Sequence, residues 1–488
     1  MSCTKLLSVL VAAALVAVVV DGAYCNMQSN ETGPPNLFAI RDTKSTPLTH
    51  LRSFVGKDLV SQGAGDLFQA GDKMDAASGG AYTYVLHLYT TPGANSGYGW
   101  GYAAGKLLAS EIDATLNGAW AYFRDEIAKE INGTATKYNI PPAIVNWIAE
   151  VGLEAALDSQ FNDDKPFIAD SFINEMQGLA DATGLDFLMI RRIHMIGELT
   201  RGRCSYFGMS GKATASTGSP MLQLRALDWE TGAGLQNFPV VYVYHTVDAP
   251  TSSELGMPFI NVGWAGWIGT LTGLNSKKIG VSEIGVSYSN YPPYFGNESR
   301  VGEPFVFLLR NILQHKSSLA EAVSYISTAT RTCHLLLAVG DGNIKKALAV
   351  QYSSDIVRFF DSQNLEPNAP WHPRIDDIVY EAMDWNCPFY QHTMAKQLQL
   401  YYGSLTPEIV IKNVTSAVMT GSLHSAIYDL TNDHLFVANY APDLQKENPS
   451  FPPMPPAGER DAYSRPWFKL YTNDLFEHPC PTASVNLN

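Results

Sequence analysis

The residues best suited to chemistry in this chain are one cysteine and two charges that follow it closely. Cys204 sits in Arg201-Gly-Arg-Cys-Ser-Tyr-Phe207, and Leu224-Arg-Ala-Leu-Asp-Trp229 comes soon after. A thiol attacks as its thiolate, which a neighbouring cation favours. A carboxylate beside it can hold an ammonium or orient a base, so Arg225 and Asp228 supply what a cysteine amidase requires. On a regular strand, residues three apart face opposite sides. Both side chains therefore serve Cys204 only if the strand bends or ends between them. Without that cysteine the pair would read as a surface ion pair.

Other routes to catalysis lack their residues. The chain has no G-x-S-x-G elbow, and Gly208-Met-Ser-Gly211 brings its second glycine one place early. Neither H-E-x-x-H nor C-x-x-C occurs, which removes zinc-protease and dithiol redox chemistry. The motif around a papain-like cysteine is missing as well. Eleven histidines are scattered, and His194, on an apolar helix face, reads as a core residue rather than a base. Gly99, Gly101 and Gly105 follow a strand-like run but give G-x-G-x-x-x-G, not a dinucleotide fingerprint, and no Walker lysine follows. They read as a tight turn feeding a closely packed helix. No cofactor and no metal is expected.

The elements around these residues divide the chain by texture. Residues 23 to about 80 are turn-rich and read as a loosely structured lead-in, and Ala81–Tyr89 alternates like a strand. Residues 140–200 read as helical: Pro141-Pro142 can open a helix, Gly184 stops one over Phe172–Thr183, and a periodic apolar segment runs over Asp186–Leu199. From Cys204 on, strands dominate: Met221–Trp229, Pro239–Val247, Phe259–Leu271, Ile279–Ser287, His334–Val339, Ala347–Tyr352, Ile356–Asp361, His424–Asp429 and His434–Tyr440. Helical runs lie near Glu303–Gln314, Leu319–Thr328 and Phe389–Tyr402. Helices followed by many strands with helices between them predict an α+β fold whose sheets are covered by helices. No internal repeat is present.

Composition narrows the setting. Of 488 residues, 46% are hydrophobic and only 16% charged, which excludes a disordered chain. The net charge of −14 and the absence of a basic run argue against nucleic-acid binding. Lys5 precedes the apolar run Leu6–Val20, the length of a signal-peptide core, and Val20 and Gly22 suit its cleavage site. The expected segments are thus a signal peptide over 1–22, a helical segment over 23–203 and a strand-rich segment over 204–488. No later stretch has about 18 consecutive apolar residues, so no further helical span of a membrane is expected. Sequons at Asn30, Asn132, Asn297 and Asn413 fit a secretory route, ending in a lysosome or outside the cell. After loss of Cys3 the cysteines are Cys25, Cys204, Cys333, Cys387 and Cys480, an odd count that leaves one thiol unpaired in an oxidising compartment. If Cys204 is that thiol, the other four allow three pairings.

The order of several segments resembles the isopenicillin-N acyltransferase-like family. These are Glu175–Phe187, Cys204, the Arg-x-x-Asp-Trp strand, Gly263–Asn275, Asp384-Trp-Asn-Cys387 and Thr420-Gly-Ser-Leu-His-Ser425. The set, over roughly residues 97–440, is also similar to acid ceramidase and the bile-salt hydrolases. The resemblance implies an N-terminal-nucleophile (Ntn) fold, a four-layer αββα sandwich. It further implies self-cleavage between Arg203 and Cys204 into two subunits, the freed α-amine becoming the internal base. Its reference pKa of about 7.7–8.0 suits proton exchange near neutrality without a histidine. Carried over residue by residue, Cys204 is the nucleophile, Arg225 and Asp228 orient it and its amine, and Asn386 donates to the oxyanion. Asn275 closes the G-L-N turn and is a further substrate or oxyanion candidate. Glu283 stands near the place where bile-salt hydrolases have a second asparagine, although a carboxylate there would serve an oxyanion only when protonated. The implied substrate is a small N-acyl amide, favoured as a lipid. The variants are an acyltransferase using the same thioester and a glycoprotein that keeps the fold for binding only.

Overall fold

The computed structural model describes residues 32–482 apart from 136–141, 200–202, 249–252, 287–295, 297–298, 300 and 384–387. The signal segment, Asn30, Asn297, Cys25, Cys387 and Asn386 lie outside the described residues.

Among the described residues, seventeen strands run in chain order as β1 (Arg41–Asp42), β2 (Thr49–Val55), β3 (Ala64–Gly71), β4 (Tyr82–Thr90), β5 (Arg203–Met209), β6 (Leu222–Asp228), β7 (Pro239–Thr246), β8 (Phe259–Trp264), β9 (Thr272–Asn275), β10 (Ile279–Gly285), β11 (Leu335–Asp341), β12 (Lys346–Tyr352), β13 (Val357–Phe360), β14 (Ile378–Met383), β15 (His424–Asp429), β16 (His434–Asn439) and β17 (Phe468–Tyr471). They form a seven-stranded sheet, β1-β17-β16-β15-β6-β5-β14, and a ten-stranded sheet, β13-β12-β11-β10-β9-β8-β7-β4-β3-β2. All pairs are antiparallel except β1 with β17 and β4 with β7. The fold is α+β.

The sheets pack face to face where β5 and β6 meet β10 and β11, and helices cover the outer faces. Burial on both sides explains why central strands such as β11 (LLLAVGD) and β8 (FINVGW) carry long apolar runs rather than alternation. Gly280 and Gly340 let the sheets approach: a Cβ on Gly340 would collide with Gln223 Oε1. Gln223 uses that proximity to donate across the sheets to Ser282 Oγ at 2.9 Å. β10 is therefore close enough for its side chains to reach those of β6.

The lead-in differs from expectation. Residues 41–71 supply β1, β2 and β3, and β2 is the exposed edge of the larger sheet. Turn residues between these short strands mask their alternation. Within 23–203, β4 pairs in parallel with β7 from beyond Cys204. The glycine-rich run does pack tightly. In helix Tyr98–Leu107 a Cβ on Gly101 would collide with Glu175 O of helix Asp170–Thr183, and one on Gly178 would collide with Tyr98 O. Gly184 ends the second helix in the left-handed region, at φ 79°.

Candidate active site

Cys204 lies at the start of β5, opposite Leu227 of β6, which lies in turn opposite His424 of β15. Directly paired residues share a face of the sheet, so Cys204, Leu227 and His424 form one row on the face toward β10. Arg225, opposite Tyr206 and Ala426, belongs to the next row on that face. It is the diagonal neighbour of both Cys204 and His424.

The fully buried Arg225 spreads its guanidinium across this corner. Nη2 donates to Cys204 Sγ at 3.3 Å and to Glu283 Oε2 of β10 at 3.1 Å, and Nη1 lies 3.4 Å from His424 Nε2. Thr272 Oγ1 reaches the same histidine nitrogen at 2.8 Å. Arginine donates only, so the Arg225 contact is a hydrogen bond when Nε2 offers its lone pair and the imidazole proton sits on Nδ1, a state in which Thr272 Oγ1 also donates. Burial, reinforced by the Arg225 charge, holds His424 well below the usual histidine range. That environment favours the neutral imidazole.

Asp228 ends β6 and faces the other way, as strand geometry requires. Its carboxylate is clasped by one turn. Gly421 N donates to both oxygens at 2.9 Å, Ser422 N to Oδ1 at 2.8 Å, and Thr420 Oγ1 to Oδ2 at 2.7 Å. Successive backbone N–H groups of this kind make an anion nest. Gly421 permits it with φ +90°. Burial raises the Asp228 pKa, and the three donors pull against that rise. Asp228 also lies opposite Arg203, so its backbone flanks the Arg203–Cys204 peptide bond.

In the intact chain Cys204 is 0% exposed. Burial pushes its thiol well above the ordinary range, against the pull of Arg225. Among the described residues no disulfide forms between any of Cys204, Cys333 and Cys480.

The structure thus brings Cys204, Arg225 and Glu283 together and sets Asp228 at the adjoining strand end. Glu283 engages Arg225 as an ion pair. Asn275 is occupied elsewhere: Nδ2 donates to Leu313 O at 3.0 Å and Lys316 O at 2.9 Å, while Oδ1 accepts from Lys277 N and Ile279 N. His194 is a core residue, its Nδ1 donating to Ile190 O at 2.8 Å and its Nε2 accepting from Ile268 N at 2.9 Å. Trp264, Trp267 and Phe259 are buried against other aromatic rings. Of the sequons, Asn132 and Asn413 fall in helical stretches, Ala109–Ala135 and Val410–Thr415, rather than in surface loops.

Sequence reasoning misses His424 and the roles of Thr420, Gly421 and Ser422. They stand in the segment Thr420–Ser425, where a Gly-Ser pair just before a strand is the available signal for a nest. The histidine carries none, because its partner is reached only through strand pairing.

No family model matches the chain. It is 33% identical to Protein dcd1A of Dictyostelium discoideum over 400 residues, covering 80% of this chain and 85% of that one. It is 31% identical to Protein dcd1B of the same organism over 435 residues, covering 88% and 80%. Among solved structures it is similar to a Caenorhabditis elegans N-acylethanolamine-hydrolyzing acid amidase ortholog, at 14% identity and TM-score 0.33, over 47% of this chain and 93% of that one. It is similar also to a mutant of the conjugated bile acid hydrolase from Clostridium perfringens, at 12% identity and TM-score 0.32, over 51% and 95%.

Proposed function

The chain belongs to the same family as the Dictyostelium discoideum proteins dcd1A and dcd1B, and from the grouping of Cys204, Arg225 and Asp228 we propose that it is an Ntn-type cysteine amidohydrolase. The observation that carries the reading is Arg225 Nη2 at 3.3 Å from Cys204 Sγ. A buried, fixed cation at that distance favours the thiolate.

In this reading the intact chain is a precursor. Sγ attacks the Arg203 carbonyl carbon, the thiol proton passes to the Cys204 nitrogen as the Arg203–Cys204 C–N bond breaks, and the α-amine of Cys204 is freed with a thioester in place of the peptide bond. Water then hydrolyses the thioester, leaving a carboxylate on Arg203 and the thiol on Cys204. The sealed position of Cys204 supports this order, since a nucleophile with no exposed surface cannot receive a second molecule until the strand end opens.

Turnover repeats the chemistry on a separate amide. Sγ attacks the acyl carbon, the α-amine takes the thiol proton and delivers it to the leaving amine, and water releases the acid. Arg225 stabilises the thiolate, and Asp228, fixed by its nest, holds the α-ammonium. Asn386 is the proposed oxyanion donor; aiming such a donor where charge develops is worth about 2.7–4 kcal/mol. The proposed substrate is a linear N-acyl lipid, met in a lysosome or outside the cell.

Mature protein run on reduced and non-reduced denaturing gels, with turnover of an N-acyl lipid panel, tests the reading. Two fragments and amide turnover are expected. An intact chain that hydrolyses nothing would leave a fold kept for binding.

A further inference from the structure

We propose that His424 is a positioning residue that sets the plane of the Arg225 guanidinium against Cys204 Sγ; this rests on the reading of Cys204 as the nucleophile. A guanidinium is planar, so its N–H directions are fixed together. Nη2 is shared between Cys204 Sγ and Glu283 Oε2, which lie on opposing sheets and leave the group free to swing between them. The swing is stopped at the other end of the plane, where Nη1 meets His424 Nε2. Arg225 Nε has no hydrogen-bond partner among the described residues, so it offers no competing anchor.

The strand register makes this arrangement specific. Arg225 lies diagonally between Cys204 and His424, so a shift toward either changes the distance to the other. The imidazole must also be neutral, because a cation there would repel the guanidinium. Thr272 Oγ1 and the surrounding burial favour that state. His424 and the nest that grips Asp228 belong to one short segment, 420–424. A single stretch of chain therefore fixes both charged partners of the nucleophile.

The test measures thiol reactivity in the mature protein, once cleavage before Cys204 has opened the strand end, with no substrate required. Iodoacetamide labelling of Cys204 is followed by peptide-resolved mass spectrometry from about pH 6 to about pH 10, with an added unstructured cysteine peptide as internal reference. His424→Leu removes the acceptor, and His424→Gln places Oε1 where Nε2 was. The leucine variant is expected to label about tenfold more slowly, with its pH midpoint moved up, because the thiolate loses an aligned donor. The glutamine variant should recover most of the rate at an equal melting temperature. A wild-type profile in the leucine variant, or no rescue by glutamine when both fold, would overturn the proposal. Nitrogen NMR of the labelled wild-type protein adds a check free of any variant: His424 protonated on Nε2 would also overturn it. If wild-type Cys204 labels no faster than the reference peptide near neutral pH, the nucleophile reading itself fails.

Discussion

Arg203 and Asp228 stand opposite each other across the β5–β6 ladder, so the peptide bond leading into Cys204 runs beside the backbone of a residue whose carboxylate is gripped by three donors. That placement predicts where the chain breaks. N-terminal sequencing of the larger mature piece should begin Cys-Ser-Tyr-Phe. Asp228→Asn removes the charge and turns an N–H donor toward the nest, so processing should slow by about tenfold or more. Undiminished processing in that variant would detach Asp228 from the cleavage step.

Cys204→Ala and Cys204→Ser separate chemistry from packing. Serine nearly matches the volume of cysteine, so a purely structural residue predicts little change. As a nucleophile the hydroxyl is far less ionised near neutrality, so amide turnover should fall sharply while slow self-cleavage survives. Alanine should abolish both and change stability by about 1–2 kcal/mol. Turnover on N-acyl lipids with parallel melting curves decides the matter. Full activity in the alanine variant would end the nucleophile assignment.

The legible and illegible parts of this chain differ for physical reasons. β15 and helix Leu319–Thr328 have the residue ranges that periodicity predicts, because each buries a clear apolar pattern between turn residues. β8 is shorter than predicted, since the apolar run continues past Trp264 into a tight turn at Gly266, with φ +83°. β5 and β14 are hard to read as strands because both pair in the sheet without alternating. The opposite facing of Arg225 and Asp228 follows from strand geometry alone. What holds them does not, because the segment 420–424 lies 192 to 199 residues away in sequence and is brought alongside by pairing of β15 with β6.

A second buried ion pair lies away from the thiol and tests the scaffold. Arg310 Nη2 donates to Glu175 Oε2 at 2.5 Å, Tyr244 Oη donates to Oε1 at 3.1 Å, and the guanidinium lies over the Tyr244 ring at 4.5 Å. Both side chains are almost wholly buried. Removing one charge strands the other, so Glu175→Gln should cost about 3–5 kcal/mol in urea unfolding. A double change of Glu175 and Arg310 to apolar residues should cost less than the sum. A near-zero effect of the single change would mean that water reaches Arg310.

The pH dependence of stability should carry two opposed slopes. Burial raises Asp164 to about 7, although it accepts from Gln160 Nε2 and Gly302 N. A carboxyl raised from an unfolded value near 3.8 keeps its proton longer in the folded chain. The folded state is therefore favoured most at low pH, and that advantage is lost as pH climbs through about 7. The histidines behave oppositely. His87 stacks on His478 at 4.1 Å and its Nδ1 lies 3.1 Å from His245 Nε2, and burial lowers all three, His245 to about 3. Their unfolded forms take protons first, so the stability they allow is full above about pH 6.5 and is lost as pH falls toward 3. A pKa that differs by one between the folded and unfolded chain is worth about 1.4 kcal/mol, so either group can bend the curve. Asp164→Asn should flatten the loss between about pH 4 and 7, and His245→Phe should soften the acid limb below about pH 6.5. Urea unfolding of both variants and the parent across about pH 4–8 measures the slopes. Parallel curves for all three proteins would show that neither group carries a perturbed proton in the folded state.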